Sequence, residues 1–422
     1  MAKTERKGLD ISAKSFIGAI VIIFALMCLT YVATFLIPGG EYARVTDANG
    51  METIVTDSFK YVDGGVPFFK WVLSPFLVLG ADGGGAIIAV IVFLLVIGGI
   101  FTALDKCGLM EYMLKKIVHK FGQQRYTLMA LVMLFFMSMG AFIGSLEECV
   151  PLVPIVVGLA VALGWDELTG LGMSILAVGC GFAAGVCNPF TVGVAQELAG
   201  LPMFSGIWLR AFSFAIIYCF LMLFLFTHVK KIEKPMDEEY LRQFSNSSVK
   251  EIAYSSGSRM WKLVITFKDG VISVLPGVLL ILMANSIRFT LMEGNILNTI
   301  LEAAVTFASG MPRWGVLLFI YGLVLFLNFF IPSGSAKAFL LMPLIVPTAE
   351  AFGISAQLCV MAFAFGDGFS NVFYPTNPVL LISLGLANVS YGTWVKWSGK
   401  FQLLNLLVTS TLLFFGMAVG YC

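Results

Sequence analysis

The sequence is poor in charge and in metal-binding side chains. Aspartate, glutamate, lysine and arginine together make up 12% of its 422 residues, the formal net charge is +1, and histidine occurs only at 119 and 228. A chain without a basic excess offers little to a polyanion, which argues against any nucleic-acid role. The cysteines at 28, 107, 149, 180, 187, 219, 359 and 422 are scattered, mostly within apolar runs, with no CxxC pair. That supports neither a disulfide framework nor a zinc site, and no cofactor is expected. Signatures of membrane proteases are missing as well. Gly366-Asp367-Gly368 is preceded at 364 by alanine rather than the glycine of a Gly-x-Gly-Asp motif, and Pro332-Ser333-Gly334 follows isoleucine where a serine-type protease has glycine. An enzyme is therefore not expected.

What the chain has is grease. It is 59% hydrophobic with a mean hydropathy of +0.93, the composition of a polytopic helical membrane protein. A span needs roughly 20 apolar residues and the sequence offers many such runs, which fits poorly with the short alternating strands of a membrane β-barrel. The first run, 15–37, is too long for the apolar region of a signal peptide and lacks a small-residue cleavage site, so it reads as a retained span. Lys3, Arg6, Lys7 and Lys14 precede it and leave the N-terminus in the cytoplasm. The loop 38–67, with Glu41, Asp47, Glu52, Asp57 and Asp63 against Arg44 and Lys60, reads as external. A second span, 84–104, leads to Lys106, Lys115, Lys116, Lys120 and Arg125, a cytoplasmic stretch with the look of an amphipathic interfacial helix.

Beyond Arg125 the chain is organised by two polar tips. In 142–154 the adjacent carboxylates Glu147 and Glu148 sit between apolar arms, and in 330–343 the same theme returns with Ser333, Ser335 and Lys337. We expect two hairpins, 126–163 and 314–353, each followed by a run broken at Asn-Pro: 168–203, interrupted at Asn188-Pro189, and 354–387, interrupted at Asn377-Pro378. A span near 207–228 leads into a loop carrying Lys230, Lys231, Lys234, Arg242, Lys250, Arg259 and Lys262. A span near 272–287 and a mildly acidic external stretch precede the second hairpin, and a final span ends at Cys422, placing the C-terminus outside. Parity of the basic loops is satisfied whether the first hairpin re-enters or crosses twice.

The two halves match in order at a nearly constant offset: Phe142 with Phe330, Ser145 with Ser333, Pro154 with Pro343, Asn188 with Asn377, Pro189 with Pro378, Trp208 with Trp394. The matches fall on breakers and polar residues. With an odd number of crossings in each unit the copies run in opposite directions, the inverted repeat of secondary transporters. The expected organisation is thus an all-α polytopic membrane protein: 1–83 an N-terminal span and external loop, 84–229 the first repeat, 230–266 a cytoplasmic loop, and 267–422 the second repeat.

Unwound backbone survives at membrane depth only where protein or a water-filled cavity satisfies it. The candidate substrate-binding residues are therefore Ser145, Glu147, Glu148, Asn188, Ser333, Ser335, Lys337, Asp367, Asn371, Thr376 and Asn377. Oxygens at Gly144, Ser145, Asn188, Thr191, Ser333, Gly334, Thr376 and Asn377 are candidate ligands for a sodium ion. The plainer readings are that Asn-Pro only kinks a helix, that the glutamates are solvated between two ordinary spans, and that Lys337 makes a structural salt bridge with one of them. Gly181 and Gly185 read as a close helix-packing face, Arg288 as a boundary residue that snorkels or gates, and Trp208, Arg210, Trp394 and Lys396 as interfacial anchors.

Leu146-Glu147-Glu148 with Pro151 and Pro154, Asn188-Pro189-Phe190, Ile331-Pro332-Ser333-Gly334-Ser335 and the run from Phe365 to Asn371 together resemble the YfcC/DcuC-like carriers, the anaerobic four-carbon dicarboxylate carrier family of the ion-transporter superfamily. The resemblance covers most of the chain from about Ser15. Asn377-Pro378 departs from it, since related sequences often have Ser-Gly there. The resemblance implies an inner-membrane homodimer in which a scaffold, including 1–83, holds a transport domain that moves as an elevator, coupled to sodium or protons. It implies either dicarboxylates or basic amino acids as substrates. Three acids, Glu147, Glu148 and Asp367, against Lys337 favour an amino acid, of the basic arginine/ornithine type, over a dianion. A channel lined by the two hairpins is the rival class.

Overall fold

The computed structural model describes residues 13–46, 52–54, 58–81, 83–106, 116, 124–233, 259–308 and 310–422. Six of the described helices are long and apolar enough to cross a membrane. The expected interfacial helix after Lys106 and most of the basic loop after Lys234 lie outside the described residues.

The first apolar run forms α1, Ala13–Leu36, and the second forms α2, Gly84–Lys106. Between them the chain is not all helix: β1 (Gly39–Glu41) pairs antiparallel with β4 (Lys60–Val62), and β2 (Arg44–Thr46) with β3 (Glu52–Ile54). Next come α3, Arg125–Ser138, and, past the first tip, α4, Val153–Ala162. The first broken run is α5 (Glu167–Leu171), a π-helical turn (Gly172–Leu176) and α6 (Ala177–Ala184), then α7 (Val194–Leu198) beyond the break. After α8, Ile207–Ile232, and α9, Arg259–Glu293, come α10 (Ile296–Ala308), α11 (Arg313–Asn328) and α12 (Gly334–Ala351). The second broken run is α13 (Ala356–Gly368) and α14 (Pro378–Leu386), and α15, Tyr391–Ala418, closes the chain.

The structure changes or adds to three expectations. The span expected near 272–287 is a 35-residue helix, α9, so Arg259 and Lys262 stand on helix rather than in a loop. The acidic stretch after it, for which no element was expected, holds α10, whose residues fasten the strands: Asn298 Nδ2 donates to Gly40 O at 2.9 Å and the Tyr42 hydroxyl donates to Glu302 at 2.9 Å. Arg210 and Trp394 are not interfacial anchors, since both are fully buried; Trp208 and Lys396 are exposed.

Helices α1 and α2 both pack on α9, and the three form a panel. Its tightest crossing uses glycine: a Cβ on Gly270 would stand 2.4 Å from Gly98 O, and one on Gly98 would stand 2.8 Å from Val274. The rest of the helical chain wraps around the two broken runs. Of the first, 94% of the most apolar window is buried, against 28% for α1, and all of α13 is buried. The crossing of α3 with α6 is equally close, with a Cβ on Gly181 only 1.9 Å from Met137 O. Backbones approach like this only where side chains are absent. Gly185 differs from Gly181: it ends α6 in the left-handed conformation at φ 51°.

The ends of 125–166 and of 313–353 gather at different ends of α8. At the Ile232 end, Glu233 pairs with Arg125, Tyr126 donates to Glu233 at 2.7 Å, and His228 bonds Asp166 at 3.1 Å. At the other end, Arg210 donates to the Tyr421 hydroxyl at 3.2 Å, and Tyr421 shares a surface pocket with Arg313, Glu350 and Gly353.

Candidate functional site

Each break is made by the same local device. Asn188 has extended backbone and its Oδ1 accepts from the Phe190 and Thr191 amides at 2.9 and 3.3 Å. Asn377 repeats this on the Val379 amide at 2.9 Å. Asparagine satisfies amides that a helix start leaves orphaned, and the following proline has no amide to satisfy and a φ already set for the first turn. Asn-Pro therefore starts a new half-helix rather than kinking an old one.

The tips close on these starts. Gly144 ends the first arm at φ 78°, and a Cβ there would fall 2.2 Å from Asn188 Oδ1. A Cβ on Gly334 would meet Thr191 Cγ2 at 2.3 Å and Asp367 Oδ2 at 2.7 Å. Both tips thus sit on the first break, and α12 begins there with Ser333 as its cap.

Around this junction lies a cavity of about 950 Å³. Of the residues singled out in the sequence, Gly144, Glu147, Glu148, Thr191, Ser333, Gly334, Ser335, Asn371 and Asn377 line it. Ser145, Asn188, Lys337, Asp367 and Thr376 do not; they are buried behind its wall. The opposite wall is supplied by the panel, through α2 and through Ile281, Asn285 and Arg288 of α9. Sequence reasoning missed Asn285 as a wall residue; an asparagine within an apolar helix was the available signal.

Lys337 is not paired with either glutamate. Its Nζ donates to Asp367 Oδ1 at 2.5 Å, to Ile331 O at 3.1 Å and to Asn328 Oδ1, and both charged side chains are fully buried. Asn328, which sequence reading passed over, also donates to Asp367 O at 3.1 Å and to Asn371 Oδ1 at 3.0 Å, and Asn377 Nδ2 reaches the same oxygen of Asn371 at 3.1 Å. The second break is therefore wired to the lysine. Asp367 Oδ2, Thr191 Oγ1, Thr376 Oγ1 and Asn188 Nδ2 are buried with no hydrogen-bond partner. Three of those four are oxygens of the kind a sodium ion takes; the Asn188 amide nitrogen is not, and its Oδ1 is occupied by backbone amides.

A second buried network braces the first break from behind. Arg210 Nε donates to Val186 O at 3.3 Å and Nη2 to Ser205 O at 2.9 Å, while Gln196 Nε2 donates to Gln357 Oε1 at 3.0 Å. Among the described residues no carboxylate pairs with Arg210.

The match to the C4-dicarboxylate anaerobic carrier family, DcuC, runs over residues 16–255 and 247–418. A protein of Escherichia coli (strain K12) provisionally named basic amino acid antiporter YfcC is 27% identical, across 95% of this chain and 96% of its own. An uncharacterised protein of Haemophilus influenzae is 23% identical, across 94% and 96%. Among solved structures, the YdaH transporter of Alcanivorax borkumensis overlays with a TM-score of 0.47 at 17% identity, across 96% of this chain and 99% of that one.

Proposed function

Because the chain belongs to the C4-dicarboxylate anaerobic carrier family, we propose that it is an inner-membrane secondary transporter whose substrate sits in the cavity between the panel and the two tips. The observation that carries this reading is that one cavity collects both tips and both breaks, four irregular segments far apart in sequence. Irregular backbone within a membrane belongs where it lines such a cavity.

The two units, 84–229 and 267–422, are inverted copies. Support comes from their roots, which lie at opposite ends of α8, a 26-residue helix about 39 Å long, while their tips meet. Arm length agrees: α11 has 16 residues and reaches about 24 Å, short of a hydrocarbon core of about 30 Å. The return arm α4 has 10. Arg125–Ile143 is long enough to cross, but no partner arm of its length follows it. The panel is the scaffold, the helices around the two broken runs are the body, the moving part of an elevator, and a second copy of the chain sits on the panel.

The substrate is a small solute with a carboxylate and a cationic group, of the basic amino-acid class. Glu147 and Glu148 face the cavity for the cation, and the amino end of α12 faces it for the carboxylate. The excess of acid that the sequence implied survives the pairing of Lys337 with Asp367, because both glutamates remain on the wall. The name of the Escherichia coli relative is of the same class. The family's description favours a second reading, a C4-dicarboxylate carrier.

Counterflow in proteoliposomes separates them. Labelled L-arginine should accumulate against an internal arginine load, with succinate neither entering nor competing, and Glu148→Gln should abolish the signal. Succinate counterflow without arginine competition would establish the second reading instead.

A further inference from the structure

The ammonium of Lys337 is surrounded the way a bound metal ion would be. It has three N–H donors and faces three oxygens, Asp367 Oδ1, Asn328 Oδ1 and Ile331 O, inside a wall that leaves neither Lys337 nor Asp367 any exposed surface. A carboxylate, an amide oxygen and a backbone carbonyl freed where α11 ends at the second tip are the donor set of a transporter's cation site. The remaining carboxylate oxygen, Asp367 Oδ2, is buried, has no hydrogen-bond partner, and lies against Gly334, which lines the cavity.

We infer that Lys337 is the resident cation of this carrier, holding the place that a coupling sodium ion would take, so that the coupled species is a proton carried on its amine. This rests on the transporter reading above. In a conformation that opens the wall, one proton passes from the ammonium to water and leaves a neutral amine beside the Asp367 carboxylate; gain of one proton from the opposite side restores the pair. No other bond changes. With the proton on, the hydrogen bonds from Lys337 and Asn328 tie the second tip to α13 and, through Asn371, to Asn377. With it off, one donor of that set is lost and Asp367 stands uncompensated.

Glu147 and Glu148 on the cavity wall are the other titratable groups of the site. Asp367 on α13 is the charged group bonded to Lys337, and Glu147 at the first tip is within electrostatic range of Asp367. On the other helices packed against α12, Glu197 of α7 is exposed and Glu302 of α10 accepts from Tyr42; on α12 itself Glu350 is exposed.

The test uses the purified full-length protein and sodium as the probe. Melting temperatures are measured in sodium chloride and in choline chloride at equal ionic strength, beside arginine and succinate uptake in proteoliposomes under a pH gradient or a sodium gradient. The inference expects the wild type to melt alike in both salts and its uptake to follow the pH gradient with sodium replaced by choline. Lys337→Gln should retain arginine or succinate counterflow, or lose it at most several-fold, while losing the response to the pH gradient. A wild-type melting point raised by sodium, or uptake that stops in choline, would overturn it, and neither readout needs a variant to fold. If the wild type moved neither solute, the transporter reading would be at fault while the melting comparison still decided which cation the site holds.

Discussion

At the scale of single residues, the account depends on buried polar side chains whose partners are backbone atoms. Arg210 is the sharpest case: a fully buried guanidinium bonded to Val186 O, Ser205 O and the Tyr421 hydroxyl. Arg210→Met should cost about 2–3 kcal/mol of stability, because acceptors shaped to the guanidinium fork are left unsatisfied in a dry interior. Arg210→Lys should recover little of it, since a point charge cannot replace the fork. Urea unfolding in detergent measures both, and a loss under about 0.5 kcal/mol, the range of an unremarkable surface change, would contradict the assignment. Asp166 sits just before the first broken run. Burial pushes its carboxyl up, but hydrogen bonds from His228 and from the hydroxyl and amide of Thr169 outweigh it and leave the group below its usual value. A carboxyl lowered by folding stabilises the protein above the unfolded value, about 3.9, and that contribution fades as the pH falls through the folded one. Asp166→Asn should therefore melt below the wild type at neutral pH, with the gap closing as the buffer is acidified below about 4. A gap that stayed constant with pH would remove Asp166 from the explanation.

At the scale of elements, glycine placement separates crossings that need it from helix stretches that only tolerate it. A Cβ on Gly181 would lie 1.9 Å from Met137 O where α3 crosses α6, whereas one on Gly399 in α15 would meet nothing within 4 Å. Gly181→Ala should push the two helices apart and lower the melting temperature by several degrees. Gly399→Ala should hold or raise stability, by up to about 0.5–1 kcal/mol, through helix propensity alone. Equal effects would mean that the α3 and α6 crossing is not close packed. Much at this scale was legible in the sequence, because breakers are chemistry that any fold must answer. Asn188-Pro189 and Asn377-Pro378 dictate capped half-helices, and the apolar runs of α1, α2, α8 and α15 dictate their own length. What escaped is what depends on partners distant in the chain. Nothing local to Lys337 says that Asp367 rather than Glu147 or Glu148 will neutralise it, nor that Asn328 will complete its set of acceptors. Trp394 and Arg210 carry the sequence marks of interfacial anchors, yet the fold turns both inward, onto Val372 O and Val186 O. For the acidic stretch after α9 the sequence named no element; the structure makes it α10, whose polar side chains hold the start of the strands, Asn298 on Gly40 O and Thr299 on Pro38 O.

At the scale of the whole molecule, the claim is that tips rooted at opposite ends meet between panel and body and enclose one substrate chamber. Its walls come from segments as far apart in the chain as Glu148, Asn285 and Ser335. The measurement that bears on this most directly is substrate protection of single cysteines placed at those three positions, in a background with the native cysteines replaced, followed by the rate of labelling with a small charged thiol reagent. The account expects one solute, at one half-protecting concentration, to slow labelling at 148, 285 and 335 together. Protection at one position while the other two react unchanged at saturating solute would contradict a shared chamber, and with it the transport cycle built on it.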